Sequence, residues 1–138
     1  MMLEKKIKLI NQEASLIREA SIAFYSEIGN FIILICINEE KKKFVSSDYF
    51  GALSLLREYL YNEYKSFPNL IGALKSVYPS RMSRQMSRGL TAYNHVMGKQ
   101  AKEKDLVNIF DQVDESEYQN LVSVEEQRST YKTWLKSL

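Results

Sequence analysis

The chain has 138 residues, 45% of them apolar and 12% aromatic, enough for one domain burying about two thirds of its unfolded surface, which argues against disorder. A formal net charge of +2 favours no class of charged partner, and one cysteine with one histidine excludes an internal disulfide and gives no zinc-like ligand spacing. The N-terminus lacks a signal peptide's basic-then-apolar layout, and the longest apolar run, Phe31 to Ile37, falls far short of the roughly 20 residues that span a bilayer, so a cytoplasmic location is expected.

In chain order, Leu3, Ile7, Ile10, Ala14 and Ile17 recur at four- and three-residue steps, which predicts an amphipathic helix over residues 2–18. Ser21 to Ile28 alternates, with Ile22, Phe24 and Ile28 on one face, and Gly29-Asn30 follows as the turn of a hairpin. Phe31 to Ile37 has no polar alternation and reads as a central strand covered on both faces, with Cys36 a buried small hydrophobe. Glu39-Glu40-Lys41-Lys42-Lys43 reads as a charged, solvated turn. Ser46-Ser47-Asp48 supplies N-cap candidates for a helix with Phe50, Leu53, Leu56 and Leu60 on one face, widened by Ala52, Leu55 and Tyr59. That helix should end near Ser66, ahead of Pro68. Leu70 to Val77 is a strand candidate in which Gly72 marks a bulge or a close backbone contact.

Pro79-Ser80 then opens a two-turn helix that Gly89 stops. At about 100° per residue, Arg81, Arg84 and Arg88 share one stripe of it, while Met82 and Met86 share a far stripe expected to pack inward. Leu90 to Met97 alternates as a strand, Gly98-Lys99-Gln100 turns, and Asp105 to Phe110 is a last short strand. Asp111 to Asn120 is an acidic loop, and Ser123-Val124-Glu125-Glu126 is a capping box opening a helix that buries Tyr131, Trp134, Leu135 and Leu138. Hairpins with segregated helices predict an α+β fold, a single domain over 1–138 with a mainly antiparallel sheet of about five strands and helices packed on it.

Charge is less evenly spread than its total implies. Residues 75–104 hold Lys75, Arg81, Arg84, Arg88, Lys99, Lys102 and Lys104 against Glu103 alone, whereas residues 105–126 hold seven carboxylates and no Lys or Arg. The two blocks either neutralise each other across the folded surface or leave one facing a partner of opposite charge. The lone His95 reads as a structural histidine on the face of Tyr93 and Met97, and the chain contains no nucleophile elbow and no Gly-rich phosphate loop. An enzyme built around His95 is the least favoured reading, and no cofactor or metal is expected. Arg81, Arg84 and Arg88, with Tyr93 and Tyr78 as stacking groups, leave a nucleic-acid or nucleotide-binding module as the alternative function.

Val77-Tyr78-Pro79-Ser80, Met82, Arg84, Met86, Gly89 and Ala92-Tyr93 resemble a family of small bacterial immunity proteins of contact-dependent growth inhibition and polymorphic toxin systems. Val107, Ile109-Phe110-Asp111, Val124-Glu125-Glu126-Gln127-Arg128, Tyr131 and Trp134-Leu135 continue the resemblance, which spans about residues 48–138. Arg81 stands where the family pattern favours a small residue, and the first 45 residues fall outside the resemblance. The resemblance implies a binding protein without catalytic residues that holds a cognate toxin domain in the cytoplasm and blocks its active site. If that toxin is a nuclease with a basic substrate cleft, Asp111, Asp114, Glu115 and Glu117 with Tyr118 are the leading partner contacts. Arg81, Arg84 and Arg88 are the rival contacts, suited to an acidic active-site rim.

Overall fold

The structure is a computed structural model describing residues 2–138. Its first half is a four-stranded meander, β1 (Leu3–Asn11), β2 (Leu16–Glu27), β3 (Asn30–Ile37) and β4 (Glu40–Ser46), followed by helix α1 (Tyr49–Tyr64) and the short strand β5 (Ser66–Pro68). These strands form a curled antiparallel sheet in the order β4-β3-β2-β1-β5. The second half holds β6 (Val77–Tyr78), α2 (Arg81–Ser87), β7 (Thr91–Asn94), β8 (Leu106–Asn108) and α3 (Val124–Lys136), with β6-β7-β8 as a small antiparallel sheet. The α+β class and the five-stranded sheet are as the sequence predicts.

The predicted N-terminal helix is instead β1, a turn and the start of β2. Lys6, Ile7, Lys8 and Leu9 alternate at the strand period, with Ile7 and Leu9 buried and both lysines exposed. The helical spacing of Leu3, Ile7, Ile10, Ala14 and Ile17 is a coincidence: Leu3 and Ile17 are exposed, and Ile10 joins Ile7 in the core across a register shift after Leu9. The turn is built by Asn11, whose side-chain oxygen accepts from the Glu13 and Ser15 amides at 3.0 Å each, with Ala14 at φ +61°.

The hairpin after β2 turns on Ile28-Gly29, one residue earlier than expected, because Glu27 pairs with Asn30 and Gly29 takes φ +78°. Ile28 is consequently fully exposed at the tip. The run Glu40–Lys43 belongs to edge strand β4 rather than to a turn, in register with Leu34 to Ile37. Along β3, Ile33, Ile35 and Ile37 enter the core, but Leu34 and Cys36 lie on the opposite face with Ala23, half-buried beside an open groove of about 570 Å³. The strand is therefore covered fully on one face only, and Cys36 is not a core residue.

Helix α1 starts where Asp48 caps it, accepting from the Gly51 amide at 2.7 Å, and closes with Lys65 in the left-handed region. Leu53, Leu56 and Leu60 are fully buried, while Leu55 is exposed. The Leu70–Val77 stretch is not a strand but a tight 3₁₀ turn at Ile71–Ala73 followed by β6. The close contact predicted at Gly72 is present, since a Cβ there would lie 2.6 Å from Leu53 Cδ2 and 2.9 Å from Ile109 Cβ. The last two strands are shorter than expected: β7 stops at Asn94, leaving Val96 and Met97 exposed, and β8 covers three residues. In α3 Ser123 accepts from the Glu126 amide at 3.1 Å, but Glu126 turns to Lys75 rather than closing a capping box. Val124, Gln127 and Trp134 are buried there and Tyr131 is half-buried, whereas Leu135 and Leu138 are exposed, because the last turn runs past the core.

Candidate functional site

Helix α2 is the unusual element. Ser80 caps it, accepting from the Ser83 amide at 3.0 Å while Ser83 Oγ accepts from the Ser80 amide at 3.0 Å. Ser87 Oγ donates to the Ser83 carbonyl at 2.6 Å and accepts from the Thr91 amide at 3.0 Å. The side turned to the protein is thus a row of serines. Met82 and Met86 point the other way, 68% and 82% exposed, so the expected inward packing of the methionines does not occur.

The seat beneath α2 explains the inversion. Asp48, already the cap of α1, also accepts two hydrogen bonds from Arg84, from Nε at 2.7 Å and from Nη2 at 3.0 Å. The guanidinium lies 5.4 Å from the centre of the Phe50 ring, and its hydrogen bond to Asp48 pushes its pKa up. The Tyr49 amide donates to the Arg88 carbonyl at 2.9 Å, and Gly89, at φ +81°, leaves room for the Phe50 amide where a Cβ would stand 2.7 Å away. Ser80, Arg84 and Gly89 therefore build the seat, and Arg81, Met82, Gln85, Met86 and Arg88 are what it presents. Arg84 leaves the expected arginine stripe: it is half-buried on an acid from residue 48, not on the acidic segment.

That acidic segment leaves Phe110 buried and runs through Asp111 into a 3₁₀ turn, Glu115–Asn120. Asp111 lies 3.9 Å from Lys5, and Glu126 lies 3.7 Å from Lys75, the single ion pair between the two charge blocks among the described residues. Asp114, Glu115 and Glu117 are exposed and form no ion pair among the described residues. Tyr118, expected beside them as a contact, is 8% exposed and belongs to the core, since the turn folds its ring inward while the carboxylates face out.

A third cluster gathers aromatic rings. His95 packs 3.9 Å from the centre of Trp134, and Tyr78 stacks on Tyr131 at 4.3 Å. His95 Nε2 lies 3.2 Å from the Tyr78 carbonyl, its Nδ1 has no partner, and burial pushes its pKa down. The adjoining cleft is about 30 Å³, room for a water and not for a nucleobase. Tyr78 is thus occupied by Tyr131, and Tyr93, the other tyrosine proposed for stacking, lies 6.2 Å from the His95 ring in a tilted pair.

Among the described residues no group of three or more His, Cys, Asp or Glu side chains is placed to hold a metal ion, and no helix is long and apolar enough to cross a membrane. No family model and no curated protein matches the chain.

Proposed function

We propose that this chain is an immunity protein, which binds a nuclease toxin of the contact-dependent growth inhibition type in the cytoplasm and blocks its active site. The supporting observation is the unneutralised acid turn. Asp114, Glu115 and Glu117 stand exposed at the start of one 3₁₀ turn with no ion pair among the described residues, although the chain carries nineteen Lys and Arg residues. A nuclease cleft holds phosphates with positive charge, and a cluster of exposed carboxylates competes for that charge.

The experiment uses the toxin domain encoded beside the gene for this chain. The purified chain binds it with nanomolar affinity and protects cells expressing it, and Asp114→Lys with Glu115→Lys slows association by about tenfold at low salt. Absence of both binding and protection by the unsubstituted chain rejects the reading. An unchanged association rate in the double variant rejects the acidic turn as its basis.

A further inference from the structure

We infer that the outward face of α2 is the anchor of the partner interface, and that it fits a protein surface with an apolar recess edged by carboxylates. The inference rests on the toxin-binding reading and adds to it the place where the complex is held. Met82 and Met86 are one turn apart on one row of the helix, Arg81 and Gln85 form the row beside it, and Arg88, the left-handed C-cap, stands exposed at its end. Both methionines are exposed although the serine side of the same helix is turned to the protein, so the core is not what these apolar side chains serve. Arg81 and Arg88 form no ion pair among the described residues, whereas Arg84 between them is consumed in the seat.

Three features make this face an anchor. The seat is fixed by the Arg84–Asp48 fork, the Ser80 cap and the Gly89 contact, so little backbone order remains to be lost on binding. Methionine adapts its shape to an apolar recess, and methionine and arginine are both enriched at protein interfaces. The flanking guanidiniums select a recess with an acidic rim. A second copy of this chain docked through the same face is a poor occupant, because it would set arginines against arginines. Nucleic acid satisfies the arginines but offers the methionines no recess. The acidic turn then steers the encounter while α2 holds the complex, a division that appears in separate rate constants.

Association and dissociation rates for the toxin domain test this on four forms of the whole chain: unsubstituted, Met82→Ser with Met86→Ser, Arg81→Glu with Arg88→Glu, and Asp114→Lys with Glu115→Lys. The methionine pair raises the dissociation rate by about tenfold or more and leaves association within about twofold, with the melting temperature unchanged because both side chains are exposed. The arginine reversal also raises the dissociation rate, whereas the acidic reversal acts on association. A methionine pair that dissociates like the unsubstituted chain overturns the inference and leaves the toxin reading standing. No binding by the unsubstituted chain overturns both. Retained toxin affinity in the arginine reversal, together with loss of RNA binding or of binding to anionic phosphatidylglycerol vesicles, also overturns it and assigns the face to that other partner.

Discussion

Arg57 carries a positive charge into the middle of the molecule without meeting a carboxylate. It is 3% exposed and donates to the Gly72 carbonyl at 3.2 Å, the Gln127 side-chain oxygen at 2.7 Å and the Val122 carbonyl at 2.8 Å. Gln127, 1% exposed, completes the knot by donating to the Gly72 and Leu74 carbonyls at 2.9 Å each. Burial pushes the Arg57 pKa down to about 9, so the group stays charged at neutral pH and its field is balanced by carbonyl dipoles. One residue thereby ties α1 to α3 and to the turn around Gly72. Arg57→Ala strands the Val122 and Gln127 oxygens, at about 1–3 kcal/mol for each orphaned buried acceptor, and opens a cavity besides. Urea denaturation of this variant should show a loss of about 3 kcal/mol or more. Arg57→Lys recovers only part of that loss, because an ammonium lacks the planar fork that reaches three acceptors. A midpoint matching the unsubstituted chain would show that the knot adds nothing. Neither residue is singled out by the sequence reading, although each interrupts an apolar stripe: Arg57 sits four residues after Leu53 and three before Leu60, and Gln127 three after Val124 and seven before Trp134. A polar residue on an apolar helical stripe signals a buried partner, but its partner comes from the fold.

At the scale of elements, α2 and the start of α1 stand or fall together. Asp48 caps one helix and grips the other, so Asp48→Ala loses the cap, worth about 1 kcal/mol, and leaves Arg84 unpaired. Asp48→Asn keeps the oxygen that accepts from the Gly51 amide and from Arg84 Nη2 and loses the charge, so the difference between the two variants in thermal unfolding measures these two hydrogen bonds together. Gly89→Ala forces a side chain onto the Phe50 amide and into a left-handed backbone at about 1–2 kcal/mol for the conformation alone, so it should be at least as damaging as Asp48→Ala. A neutral Gly89→Ala would mean that α2 is seated less closely than described. Helix α1 and the Pro-Ser opening of α2 were legible because caps and apolar spacing are local. The N-terminal hairpin was not. No Gly or Pro punctuates Glu13-Ala14-Ser15, and over residues 2–18 both the helical and the strand period find apolar residues. Only pairing with Glu19 to Phe24 of β2 and with β5, beyond that window, decides between them. The outward methionines of α2 were not legible, because two turns have too few residues to tell a buried stripe from a presented one.

Across the whole molecule, the two sheets are joined through Phe110. Its ring stacks on Phe24 at 3.9 Å, meets Tyr49 edge-on at 5.9 Å, and its carbonyl accepts from Lys5 at 2.8 Å. Phe110→Ala should cost about 3–5 kcal/mol and, if the halves depend on one another, broaden or split a single thermal transition seen by calorimetry. Retention of one sharp transition at the original temperature would show that they are joined elsewhere. The class of fold was legible because hairpins and helices segregate along the chain. The division into a large and a small sheet was not, since β5, β6 and β8 are too short to carry a period.

The lysines of β4 have one more effect. An edge strand offers its free amides and carbonyls to any extended chain that passes, including another molecule of the same protein. Here Lys41, Lys42 and Lys43 line that edge, alternating between the two faces of the sheet. A second copy laid alongside would stack its own three ammonium groups on these. The run that reads as a solvated turn in the sequence is an edge strand whose charges disfavour the addition of a further strand.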